Sequence, residues 1–180
     1  MKTVSAAFAA IAAVLLLLTA GAEAKPKIRS QAHTSAPASK PQATPPAAKP
    51  GTFEYKVEEF IRLSGFNFKK VKSNSWYLLN PSPEMIQTRV ILGAGPGSIA
   101  MGAVVVPKDK LQLTAEGLEK LMKLSYELNY VRPCIDSDGD LIVLAQLKDP
   151  WLTAAEFKTT INLVAAAADR TYAMMRPYIK

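Results

Sequence analysis

Asp136, Asp138 and Asp140 stand at alternate positions, spaced as a run of oxygen ligands for a hard cation is spaced. An EF-hand loop also needs Gly at its sixth place and a bidentate Glu at its twelfth, and counting from Asp136 those places hold Leu141 and Leu147. The same aspartates suit a hairpin turn, where side chain to backbone bonding and solvation account for them. No metal site is therefore expected. A second pattern, Gly93-Ala94-Gly95-Pro96-Gly97-Ser98, follows an apolar run as a phosphate-cradling loop does. A phosphate loop must open a helix, and a P-loop must end in Gly-Lys-Ser/Thr. Here Ile99 and Val104 to Val106 continue as strand and no Lys follows, so the segment reads as a plain hairpin turn with no cofactor-binding residues.

Acid–base and nucleophilic chemistry is equally constrained. The chain has one His, His33, in a Pro- and Ala-rich stretch without a pocket, so a Ser or Thr nucleophile lacks an imidazole base. Its one Cys, Cys134, lies beside Ile135 in a β-type run and reads as a small buried side chain. Paired carboxylates could support hydrolysis, but Glu54, Glu58, Glu59, Glu116, Glu119 and Glu127 fall on helix surfaces beside Lys or Arg, and nothing singles out a pair. No catalytic residue is assigned. Trp76, Tyr77 and Trp151 remain as partner-binding candidates, with rim-packing core as the competing reading.

The formal charge is +7, and its distribution matters more than its size. Residues 25–50 carry five bases and no acid, whereas residues 51–180 carry 16 bases and 14 acids. The excess thus belongs to a tail, and specific nucleic-acid binding is not expected. Lys2, the apolar stretch Ala6 to Ala20 and Ala22-Glu23-Ala24 have the layout of a secretory signal, residues 1–24, cut after Ala24. That stretch is short for comfortable spanning of a bilayer, so cleavage is expected and no transmembrane segment after it, with an uncleaved membrane anchor as the competing reading. Residues 25–51, rich in Pro, Ala and Lys, are expected to form a disordered linker, and a periplasmic or secreted location follows.

The elements that must position any site lie in residues 52–180. Thr52 caps an amphipathic helix with Phe53, Val57, Phe60, Ile61 and Ser64 inward, stopped by Gly65. Phe66 to Val71, Trp76 to Leu79, Ile86 to Leu92 and Ile99 to Val106 read as strands, with Asn80-Pro81-Ser82-Pro83 breaking the pattern. Thr114 opens a second helix with Leu118, Leu121, Met122, Ser125 and Leu128 on its inner face. Tyr130 to Ile135 and Leu141 to Leu147 form a hairpin through Asp138-Gly139, with Pro133 confining the first strand to an edge or bulge. Thr153 and Glu156 make a capping box for a long last helix with Phe157, Ile161, Val164, Ala168 and Tyr172 inward. The order is helix, three or four strands, helix, two strands, helix: an α+β domain with an antiparallel sheet covered by helices.

Leu121 to Tyr130 (LMKLSYELNY), Ile135 to Leu141 (IDSDGDL), Leu152 to Glu156 (LTAAE) and Ala165 to Tyr172 (AAAADRTY) carry a resemblance to the YbjN family. The resemblance implies an α-β-β-β-α-β-β-α fold similar to type III secretion chaperones. It also implies a binding or regulatory role on protein or peptide partners, without cofactors. The expected function is an exported, non-enzymatic protein-binding module that buries partner apolar segments against the sheet or beside the first helix, with homodimerisation through the same elements as a further option. The alternative is a metal-binding protein or carboxylate-based hydrolase of the cell envelope. A third reading is a structural envelope protein whose basic tail adheres to anionic polymers.

Overall fold

The computed structural model describes residues 48–149 and 152–180. The expected signal, nearly all of the linker, His33 and Trp151 lie outside the described residues.

Helix α1 (Phe53–Ser64) starts where Thr52 accepts the Tyr55 N–H at 3.3 Å, and it ends at Gly65, whose φ of 76° is left-handed. Four antiparallel strands follow, β1 (Phe68–Lys72), β2 (Ser75–Ser82), β3 (Ile86–Gly95) and β4 (Ser98–Val106). Helix α2 (Ala115–Glu127) is capped by Thr114, then come β5 (Arg132–Ile135) and β6 (Leu141–Lys148). Helix α3 (Ala154–Met175), capped by Thr153 on the Glu156 N–H, ends in a short 3-10 turn, Arg176–Tyr178. The expected α+β order is observed, with four strands before the middle helix.

The sheet order is β1-β2-β3-β4-β6-β5, antiparallel throughout. Alternation along the strands divides it into two faces. One face carries Trp76, Leu78, Val90, Leu92, Ile99, Met101, Leu141 and Val143, which bury against Val57 and Ile61 of α1, Leu121 of α2, and Phe157, Ile161 and Val164 of α3. Full burial of side chains this large contributes about 1.5–3 kcal/mol each, so this layer dominates the fold. The second face holds a separate small cluster, Ile91 and Ala100 with Tyr77, Val104 and Leu144, all from strands.

Two expectations are corrected. Asn80-Pro81-Ser82 does not break β2; these residues pair with Thr88, Gln87 and Ile86. Strand β1 reaches only to Leu78, so Pro81 stands on a free edge where its missing N–H removes no ladder bond. Helix α2 is also rotated from its expected setting. Gly117, Leu121 and Leu124 are buried, whereas Leu118 and Met122 are exposed. The helix is apolar around much of its circumference, and the Tyr178 ring seats the Gly117 side: a Cβ there would lie 3.3 Å from Tyr178 Cδ1.

Candidate functional site

Two of the three hairpin aspartates bond the backbone through their carboxylates. Asp136 Oδ1 accepts the N–H groups of Asp138 at 3.0 Å and Asp140 at 2.9 Å, and Asp140 Oδ1 accepts the Lys108 N–H at 2.8 Å. Gly139 takes the left-handed turn position at φ 91°. Among the described residues no group of three or more His, Cys, Asp or Glu is placed to hold a metal ion. The glycine segment is also structural. Its residues extend β3 and β4 around the Pro96-Gly97 turn, and the Gly97 carbonyl accepts the Asp149 N–H at 2.9 Å.

The carboxylates are dispersed over the helices and turns. Glu58 pairs with Lys70, Asp149 with Lys56, Glu127 with Arg170 and Glu84 with Arg176. On α2, Glu116 pairs with Lys120 at 2.8 Å and Glu119 with Lys123 at 2.6 Å, and these lysine hydrogen bonds hold both carboxyls below their usual range. Asp169 accepts Ser82 Oγ–H and the Glu84 N–H, fastening the β2–β3 turn to α3.

The aromatic candidates separate. Trp76 lies wholly within the core under Lys70, whose Nζ is 5.9 Å from the ring centroid, and it offers no surface. Its indole N–H is buried without a partner. Tyr77 points to the other face, half-buried, with the Arg89 guanidinium 5.2 Å from its ring centroid. Cys134 is half-buried opposite Ile142 on that same face.

Two surfaces emerge that no single motif announces. The first is a ridge on α2: Leu118, Met122 (68% exposed) and Tyr126 (92% exposed) recur at every fourth residue. Tyr130, four residues further on, is 83% exposed and sits at φ 67°, a left-handed conformation unusual for an aromatic residue. The sequence signal for the ridge was present, but the inner face was assigned to Leu118 and Met122. The second surface is the outer sheet face. In register, Lys69, Tyr77, Ile91, Gly102, Leu144 and Arg132 form one row crossing all six strands, a cation at each end. Among the described residues the helices join the opposite layer only; along the row Lys69 and Arg132 are exposed, Tyr77 and Leu144 are half-buried, and Ile91 and Gly102 are buried.

No family model and no curated protein matches the chain. Solved structures do. The heterodimeric ExoU–SpcU complex of the Pseudomonas aeruginosa type III secretion system contains a chain that superposes with a TM-score of 0.52 at 13% identity, covering 67% of this chain and 98% of that one. The ExsC–ExsE complex gives 0.52 at 19% identity, covering 68% and 96%. YbjN from E. coli gives 0.50 at 10% identity, covering 72% and 96%. The fold is YbjN-like. It is equally that of type III secretion chaperones, as the resemblance implied. These likenesses establish the architecture, while the site rests on this chain's own residues. Among the described residues no helix is long and apolar enough to cross a membrane.

Proposed function

We propose that this chain is an exported, non-enzymatic protein-binding module that buries apolar groups of a partner. The observation carrying the reading is the α2 ridge. Leu118, Met122 and Tyr126 stand in water, and Tyr130 holds a costly backbone conformation to project an exposed ring. Large apolar side chains grouped on one exposed face mark interaction sites in soluble proteins, and aromatic residues are enriched among interface anchors. Two of the structural neighbours were solved as complexes of two proteins, which supports the same reading. The dispersal of carboxylates into ion pairs and turn bonds favours binding over the hydrolase alternative. A second copy of the chain is one partner the ridge could accept.

The test is a photo-crosslinking amino acid placed at Tyr126 and, as a control, at Lys158 on the exposed side of α3, in the native host. Adducts with another protein, or with a second copy, at position 126 but not at 158 support the proposal. Equal, background labelling at both positions refutes the ridge as a docking site.

A further inference from the structure

The sheet face on which no described helix packs has a charge character that the rest of the domain does not share. None of the six strands contains an Asp or Glu. Four cations nevertheless project on this face: Lys69 beside Tyr77, Arg132 beside Leu144, Arg89 opposite Leu79, and Lys148 opposite Ser98. All four are exposed, and among the described residues none has a carboxylate partner. The strand cation that does form an ion pair, Lys70 of β1 with Glu58 of α1, projects on the opposite face over Trp76, and the other pairs join helices and turns. Between the cations Tyr77, Val104 and Leu144 are half-buried and keep apolar surface in water, packed over the buried Ile91 and Ala100.

We infer that this face receives an extended acidic segment of a partner protein, lying across the strands along the row from Lys69 to Arg132, with apolar residues between its carboxylates. The inference rests on the protein-binding reading and adds the chemistry of the partner. Complementary charge decides between occupants. A second copy would set four cations against four through the same face, which disfavours that arrangement. A single-stranded nucleic acid needs stacking platforms, whereas the centre offers one ring, Tyr77, already covered by Arg89, and otherwise aliphatic groups. Aliphatic groups between terminal cations fit an extended polypeptide that turns one face to the sheet, with an acidic side chain at each end of that face and apolar side chains at every second position between. The geometry also sets a spacing. Six strands about 4.8 Å apart place the two edge cations roughly 24 Å apart, an extended chain rising about 3.3 Å per residue covers that in about seven residues, and the even separations that keep both carboxylates on one face are about six and about eight.

The test uses the purified full chain and a fluorescein-labelled peptide of Val, Thr and Leu in which two glutamates about eight residues apart share one face of the extended chain with the apolar residues between them. Control probes replace both glutamates by glutamine, move them about three residues apart, or substitute polyglutamate, oligothymidylate or phosphatidylglycerol vesicles. Saturable anisotropy with the first peptide is expected. It should weaken about tenfold or more in Arg89→Glu/Arg132→Glu, and similarly between about 50 mM and about 500 mM salt. Val104→Lys should weaken it as well, and Lys158→Glu on the exposed side of α3 should leave it unchanged. Arg89→Gln serves as a milder variant, and circular dichroism confirms folding in each case. Equal affinity for the glutamine peptide, or tighter binding of polyglutamate, oligothymidylate or vesicles that ignores Val104→Lys, overturns the inference. An equal loss of peptide binding in Lys158→Glu also overturns it. The protein-binding reading stands or falls separately, on the Tyr126 crosslinks.

Discussion

The carboxylate of Asp140 accepts the backbone N–H of Lys108 at 2.8 Å, so the residue that closes the β5–β6 turn also holds the loop leaving β4. Asp140 is buried, and removing its side chain leaves that amide without a partner. Asp140→Ala should destabilise the domain by about 1–3 kcal/mol. Asp138→Ala, at an exposed turn position, should remain within about 0.5 kcal/mol of the parent. Urea denaturation monitored by circular dichroism separates the two. Equal losses would mean that the aspartates act as a ligand set, and a saturable calcium heat abolished by Asp138→Ala would revive the metal alternative.

Trp76 presents an opposite balance of terms. Its ring fills the core while its indole N–H lacks a partner. Trp76→Phe removes volume but also removes the unsatisfied donor, so the expected loss is within about 1 kcal/mol. Trp76→Ala leaves a cavity and should cost about 3–5 kcal/mol. Chemical denaturation of both variants checks this, and a large loss in Trp76→Phe would show that the N–H is satisfied in solution.

Burial, and secondarily the Asp136 charge, push the Cys134 thiol above its ordinary pKa. Both disfavour the thiolate, which is the reactive form. Iodoacetamide labelling should therefore be slow at neutral pH and rise only well into the alkaline range. Asp136→Asn should move the midpoint part of the way down, since desolvation persists. Rapid modification at pH 7 would contradict this environment for the thiol.

Tyr130 combines exposure with a positive φ of 67°. Asn tolerates the left-handed region better than bulky residues. Tyr130→Asn should raise stability by up to about 1 kcal/mol, a shift of a few degrees in Tm. The same change should reduce crosslinking from position 126 if the ring contributes to docking. A stabilised variant with undiminished adducts would confine Tyr130 to a structural role.

Local sequence signals located many elements because their causes are local. Thr52, Thr114 and Thr153 each accept an N–H three residues on, and Gly65 and Gly139 occupy left-handed positions that other residues resist. The inner face of α3 was readable because its burying residues, from Phe157 to Ala168, follow one helical stripe. Helix α2 was not, since residues on several of its sides are apolar and the choice between them falls to Tyr178, about sixty residues further along the chain.

The chain's own order of residues therefore determined the caps, the turns, the element succession and the poverty of catalytic groups. Only tertiary structure decided which sheet face the helices pack on and that Lys69 and Arg132 terminate one row. Those two cations are far apart in sequence, and their alignment depends on five strand pairings and on irregularities in two of them, near Lys70 to Lys72 and Val104 to Val106. A single-residue slip in any pairing sends alternate side chains to the other face, so no local pattern could have announced the row.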